Sequence, residues 1–355
     1  MNSFIKNFKS SKFVNAIGIN RIMLIFVILL LCIIFQVLSA VLNHGTSFVT
    51  YARLTSAVNY GYFIGFLALG VTFVIATGGI DFSIGPVMFT TALITGYLFT
   101  SYGVPMWITI LLCPIVGMMF GCLNGALVAY FHLPSFITSL GVMLLAKGIG
   151  SIFTKTQNVS WPGRNDEGGW FRYLSNIEIT LENGNKLNIP TGMILLIIAA
   201  IICSIVLNKT KAGRYLMCIG SNKEAVRLSG VDTRRWEMLA YIICGALAGI
   251  AAIFYVGCYT TVQPVKGDTF NNEAIAACVM GGTSMAGGTA SILGTLIGTL
   301  LIAILQEGIL AMGFNISFQY ALTGLILIGA VAADILSRRS EGAINIGNIK
   351  LTKSK

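Results

Sequence analysis

The chain has 355 residues, of which 55% are hydrophobic and 10% charged, with a mean hydropathy of +0.83. Soluble globular domains carry about 25% charged residues, so this composition excludes a water-soluble fold and leaves a polytopic membrane protein with room for about ten spans of ~20 residues. The formal net charge of +10 sits in polar segments between apolar runs, which argues against nucleic acid and for lysine and arginine that set topology and face an anionic lipid leaflet.

Residues 1–21 hold four basic groups and no acid, a cytoplasmic tail by the positive-inside rule. The apolar run 22–42 exceeds the ~7–15-residue core of a cleaved signal and is expected to span. Further spans are predicted at 57–76, 86–101, 106–131, 134–153, 191–207, 238–258, 289–306 and 317–336. Nine crossings would leave the basic tail 337–355 outside, so a tenth is expected at 272–288, although that stretch carries Glu273 and two glycine pairs. Such a segment at membrane depth must be shielded by protein or line a watery cavity. The fold class is therefore all-α and polytopic, with about ten transmembrane helices in a transmembrane domain over 22–336 and both termini cytoplasmic.

Two polar loops interrupt this pattern. Residues 155–190 carry four basic and four acidic groups and are expected outside; 177–189 alternates about Asn183 and Gly184, a hairpin signal. The nearby Trp161, Trp170, Phe171 and Tyr173 fit an interfacial belt. Residues 209–237 carry seven basic groups against three acids and belong in the cytoplasm. There, Ser221 and Glu224 have capping-box spacing, a helix is expected to begin at Asn222, and Gly230 suits its C-cap. Two turns do not stand alone in water, so this helix either docks on a partner or is merely a solvated loop.

Both halves carry a glycine-broken apolar segment. Sliding the chain by 203 residues places Gly78, Gly79 and Gly85 on Gly281, Gly282 and Gly288, and paired breaks of this kind point to a translocation path, with close helix packing as the alternative. Asp81 and Glu273 lie within spans and must face protein or water; Lys147 and Glu307 fall near interfaces, where snorkelling suffices. An uncharged polar solute would need hydroxyls, amides and backbone groups, for which Ser83, Asn124, Thr283, Ser284 and the flanking Gly287 are candidates. No catalytic constellation is present. His44 and His132 stand apart from each other and from any CxxC spacing, so no metal is expected, and the cysteines suggest no pairing. There is no GxxxxGK[ST] phosphate loop, so an uphill transporter built from this chain needs an ion gradient or a separate ATPase.

Four ordered motifs carry a resemblance: GGIDFSIG at 78–85, LPSFITSLGVMLLAKGI at 133–149, TKAGRYLMCIGSNKEAVRLSGV at 210–231 and EAIAACVMGGTSMAGG at 273–288. The chain resembles the permease subunit of ribose, xylose and galactose type ABC importers of the bacterial cytoplasmic membrane. The resemblance implies a second permease copy or paralogue, cytoplasmic ATPase subunits that hold ATP and Mg while this chain binds no cofactor, and an extracytoplasmic sugar-binding protein. It also implies that 221–230 is the coupling helix, presenting Ser221, Asn222, Glu224, Ala225, Arg227, Ser229 and Gly230. Asn271, Glu273, Glu307 and Lys147 depart from the family pattern, which leaves the sugar open. A permease for a nucleoside or other small polar solute, an ion-coupled secondary transporter and a membrane scaffold are the other readings.

Overall fold

The computed structural model describes residues 19–42, 47–180, 186–315, 317–325, 328–329 and 332. His44, the Asn183–Gly184 turn and most of both basic tails lie outside the described residues. Among the described residues, eight helices are long and apolar enough to cross a membrane: α1 (Ile19–Leu42), α2 (Tyr51–Ala76), α3 (Ile84–Tyr102), α4 (Met106–Ala129), α5 (Ser135–Phe153), α6 (Thr191–Lys209), α8 (Thr233–Cys258) and α10 (Ile292–Ala311). Between them lie α7 (Lys211–Leu228) and α9 (Asp268–Met280). The protein is thus an all-α polytopic membrane protein. The weak span at 272–288 is the short helix α9 followed by a glycine-rich loop. The span expected at 317–336 is helical over 317–325, and most of its remainder lies outside the described residues.

Helix α2 is the centre of the bundle. Every residue from Tyr60 to Ala76 is buried, which fits a sequence without a polar stripe, since a helix apolar all round belongs inside. Its start is capped by Thr50, whose hydroxyl accepts from Arg53 N at 3.4 Å. By contrast α1 exposes Phe26, Ile33 and Val41, as lipid contact requires. The most extensive helix pair is α4 with α8. Gly117, Gly121 and Gly125 recur at every fourth position of α4 and meet the backbone of α8 at Gly245, Gly249, Tyr241 and Met238; a Cβ at Gly117 would collide with the Gly245 carbonyl oxygen. Small residues at that spacing let two membrane helices touch backbone to backbone.

The two ends of the bundle differ. At one end β1 (Ile177–Thr180) and β2 (Lys186–Ile189) form the expected hairpin, with Glu178 opposite Asn188. Tyr51 Oη donates to Asn188 O at 2.5 Å, which ties the start of α2 to this hairpin end. The aromatics before it divide. Trp170 and Tyr173 are exposed as a belt requires, but Trp161 and Phe171 are buried. Trp161 Nε1 donates to Ala92 O at 3.1 Å, in space that Gly96 leaves free. Those two rings anchor the loop on α3 instead of meeting lipid, because an indole wedged against a glycine face buries its apolar body and still satisfies its one donor. The opposite end of the bundle carries α7.

In place of an isolated two-turn helix, α7 is one 18-residue run with a single non-helical residue, Asn222 (φ −160°, ψ 93°). Leu216 and Ile219 anchor the first segment, and the second is the short helix that the sequence predicts.

Candidate coupling junction and solute path

The two glycine breaks begin with the same backbone device. After α2, Gly78 takes φ +82°, its N–H reaches Ile75 O at 2.9 Å, and Gly79 N reaches Val74 O at 3.2 Å. After α9, Gly282 takes φ +89°, its N–H reaches Val279 O at 2.9 Å, and Thr283 N reaches Cys278 O at 3.0 Å. Both are Schellman endings, in which a left-handed residue lets two donors cap the last free carbonyls. The equivalent residues are therefore Gly78 and Gly282, one position away from the pairing expected from the 203-residue slide. Gly281 has an ordinary helical φ and serves close contact, because a Cβ there would collide with the Gly294 backbone of α10.

The breaks meet each other and α7 at one junction. Gly288 N donates to Ala76 O at 3.0 Å. A Cβ on Gly287 would stand 2.7 Å from Gly78 N and 2.9 Å from Gly220 Cα, and one on Gly220 would collide with the Ala76 carbonyl and Gly288 N. Gly288 likewise faces Ser221 Oγ. Three segments distant in sequence thus touch through bare backbone, immediately before the kink in α7. Gly220, which the sequence reading left out, carries the contact; its only local sign is a glycine beside the capping motif.

The capping box is not formed. Asn222 is the cap, its Oδ1 accepting from Ala225 N at 3.0 Å, whereas Ser221 Oγ turns back to donate to Met217 O at 3.1 Å. Glu224 pairs with Arg227 (Nε 3.0 Å, Nη2 2.5 Å), and that guanidinium holds its carboxyl below the usual carboxylate range. The kink explains this exchange. Residues before Asn222 are still helical, so Ser221 finds a carbonyl one turn back, and the first free donors belong to the next segment. Gly230 takes φ +85° beyond the end as expected, and Ser229 Oγ donates to Val226 O at 2.7 Å. Lys223 Nζ bridges Glu237 at 2.6 Å and ties this segment to α8. Ser221, Asn222, Glu224, Ala225, Arg227, Ser229 and Gly230 are exposed. So is Leu228, at 76%, an apolar side chain on the face of this helix that the sequence reading passed over.

The residues singled out for a solute path are largely engaged in holding the breaks. Asp81 is buried and accepts from Ser83 N at 2.8 Å and Ser83 Oγ at 2.6 Å, which shapes the turn into α3. Asn124 lies fully buried beside it. Gly85 N donates to Asn271 Oδ1 at 2.6 Å, and Asn271 Nδ2 donates to Phe82 O at 2.5 Å; Asn271 therefore straps the first break to α9. Glu273 is buried and accepts from Tyr60 Oη and from Gln319 Nε2 at 3.0 Å, and Gln319 Nε2 also reaches Gln306 Oε1 at 2.6 Å. Thr283 Oγ1 accepts from Ser291 N at 3.2 Å, and Ser284 Oγ accepts from Ala286 N at 3.4 Å. Gly78 and Gly79 border a cavity of about 210 Å³ that also meets His132, Ser135, Lys223 and Glu237. Lys147 does not snorkel to water alone; its Nζ pairs with Asp268 at 2.5 Å. Beside that pair, a cavity of about 340 Å³ is lined by Phe89, Tyr255, Lys266, Phe270 and Tyr320, aromatic faces interleaved with polar groups.

Comparison with known proteins bears on this arrangement. A family profile described as branched-chain amino acid transport system / permease component matches residues 53–331. The chain is 32% identical over 270 residues to the ribose import permease protein RbsC of Escherichia coli (strain K12), covering 76% of this chain and 81% of that one. It is 34% identical over 265 residues to the fructose import permease protein FruF of Bifidobacterium longum (74% and 71% covered), and 32% identical over 271 residues to the ribose import permease protein of Bacillus subtilis (76% and 80%). No solved structure matches.

Proposed function

The chain belongs to this permease-component family, and from that premise we propose that it is the membrane-spanning subunit of an ABC importer for a monosaccharide, with ATP and Mg held by a separate cytoplasmic ATPase. An extracytoplasmic sugar-binding protein delivers the solute, and a second permease copy or paralogue completes the path. In this reading the α7 end faces the cytoplasm, in keeping with its surplus of basic groups, and the hairpin end faces outward. The chain then crosses the bacterial cytoplasmic membrane with both basic termini on the cytoplasmic side.

The observation that carries the proposal is the junction of Gly220 with Gly78, Gly287 and Gly288. Exposed residues on the second segment of α7, Leu228 and Arg227 among them, form the face that the ATPase grips. When the ATPase dimer closes, α7 moves, and the two breaks move with it because at Gly220 backbone meets backbone, with no side chain there to absorb the displacement. Packed elements of this kind have discrete arrangements instead of deforming continuously. The Schellman endings at Gly78 and Gly282 are the places where backbone direction already changes, and the one at Gly282 is the natural hinge. Solute specificity then rests on neutral hydrogen-bonding groups and aromatic faces.

The test is reconstitution. Proteoliposomes that contain the permease with its ATPase and binding protein are expected to take up labelled ribose or fructose only with internal or external ATP on the ATPase side. Uptake driven by an ion gradient without the ATPase would replace this reading by a secondary transporter. In intact cells, and in a chain whose native cysteines are replaced, a cysteine placed at Asn183 should react with a membrane-impermeant thiol reagent and one at Asn222 should not; the reverse order would invert the orientation.

A further inference from the structure

At the hairpin end, four residues that line one cavity of about 390 Å³ each keep a buried side-chain atom without a hydrogen-bond partner: Asn59 Oδ1, Arg172 Nη2, Asn176 Oδ1 and Asn188 Oδ1. Among the described residues ten such atoms occur, so four at a single site is a concentration. Buried polar groups are nearly always partnered, because leaving one unmade forfeits its hydration. Arg172 is only 7% exposed and Asn176 only 5%. Both are also fixed in place. Arg172 Nε donates to Pro162 O at 2.7 Å and Nη1 to Gly257 O at 3.0 Å, which leaves Nη2 over. Asn176 Nδ2 donates to Tyr62 Oη at 3.2 Å, which leaves its oxygen over.

The charges around the cavity select the kind of ligand. Arg164 and Arg172 are balanced by Glu178 and Glu307, with Arg164 Nη1 at 3.3 Å from Glu178. A cation would meet the two guanidinium groups and an anion the two carboxylates, so the site favours neither. The atoms left over on these lining residues are one donor and three acceptors, and hydroxyl groups are the partners that both donate and accept. The volume lies within the ~300–1,000 Å³ of small-ligand sites, and Tyr259 borders it. We propose that this cavity is a vestibule that binds a neutral polyhydroxylated molecule of monosaccharide size before it enters the bundle. The proposal rests on the transport reading for its physiological ligand. It assigns a role to Glu307, Asn188 and the hairpin that the junction at the other end does not use.

The full-length permease in lipid nanodiscs, titrated with D-ribose and D-fructose and followed by saturation-transfer NMR, is expected to bind them saturably. Glucuronate and glucosamine, an anion and a cation that keep the sugar ring, should compete at least about tenfold less well. The variant N59A/N188A, checked for an unchanged unfolding temperature, should lose about tenfold or more in affinity, the order expected for two neutral hydrogen bonds. In a chain whose other cysteines are replaced, saturating D-ribose should slow modification of Cys258, which borders the cavity, by a small thiol reagent. Absence of saturable binding, preference for glucuronate or glucosamine, wild-type affinity in N59A/N188A, or an unprotected Cys258 would overturn the proposal. ATP-dependent uptake in proteoliposomes separates the two readings. If uptake proceeds while sugar binding ignores N59A/N188A, the vestibule falls and the transporter stands; if no sugar is taken up, the transport reading falls and the binding experiment still decides the vestibule.

Discussion

The break after α2 and the break after α9 begin with the same Schellman ending and then diverge. Residues 77–83 are held by a buried carboxylate, Asp81, and strapped by Asn271 to a neighbouring helix. Residues 281–291 lack a charged clamp. They turn on three glycines with positive φ, Gly282, Gly287 and Gly288, and on hydroxyl contacts from Thr283, Ser284 and Ser291. The first break is thus held by the buried carboxyl group of Asp81 and an amide strap from α9, and the second by backbone packing and a few hydroxyl contacts. The difference teaches that a shared helix ending does not imply a shared role: in the proposed transport cycle the second break, which presses two glycines on α7, is the hinge, and the first is the anchor.

The largest effect is expected at the junction that both breaks share. Gly220→Val adds side-chain atoms where even a Cβ collides with Ala76 O and Gly288 N. ATP-dependent uptake should fall by about 100-fold or more, as a misplacement of roughly 1 Å can cause, while size-exclusion chromatography still shows an intact chain. Normal uptake would separate α7 from the breaks.

Asp81→Ala comes next. It removes the acceptor of two buried hydrogen bonds and should lower unfolding stability by about 1–3 kcal/mol, whereas Thr283→Ala in the second break, which loses one, should cost about 0.5–1.5 kcal/mol. Thermal unfolding of the two variants in one detergent checks the order. Equal losses would erase the distinction between anchor and hinge.

Gly282 and Gly281 sharpen the comparison further. Gly282 has open space around its missing Cβ but a left-handed backbone, so Gly282→Ala should cost only the ~1–2 kcal/mol of that conformation, and Gly282→Asn less, because asparagine tolerates it. Gly281→Ala has an ordinary backbone but meets the Gly294 carbonyl, and asparagine offers no relief there. Unfolding temperatures of Ala and Asn variants at both positions should show rescue at Gly282 alone.

The smallest effect tests the cap. Asn222→Ala should weaken the second segment of α7 by about 1 kcal/mol, seen as faster amide exchange at Ala225, while Ser221→Ala leaves that amide unchanged. A slower exchange at Ala225 in the serine variant than in the asparagine variant is the expected order, and the reverse would restore the capping box.

The sequence by itself determined the membrane class, the positions of most spans, the two glycine breaks and the exposed helix in the basic loop. Each of these is written in local composition: apolar runs of membrane length, glycines at helix ends, a hairpin signal around Asn183 and Gly184. The capping pair was misassigned because a helix start inferred from spacing alone does not reveal that helical residues already precede it. Only the tertiary structure decided that Gly220 belongs with Gly78 and Gly287, that Asn271 straps the break at Phe82, and that Asn59, Arg172, Asn176 and Asn188 leave unmatched atoms around one cavity. The physical reason is that these contacts join segments far apart in the chain, and a polar or glycine residue carries no local mark of the distant backbone it will meet.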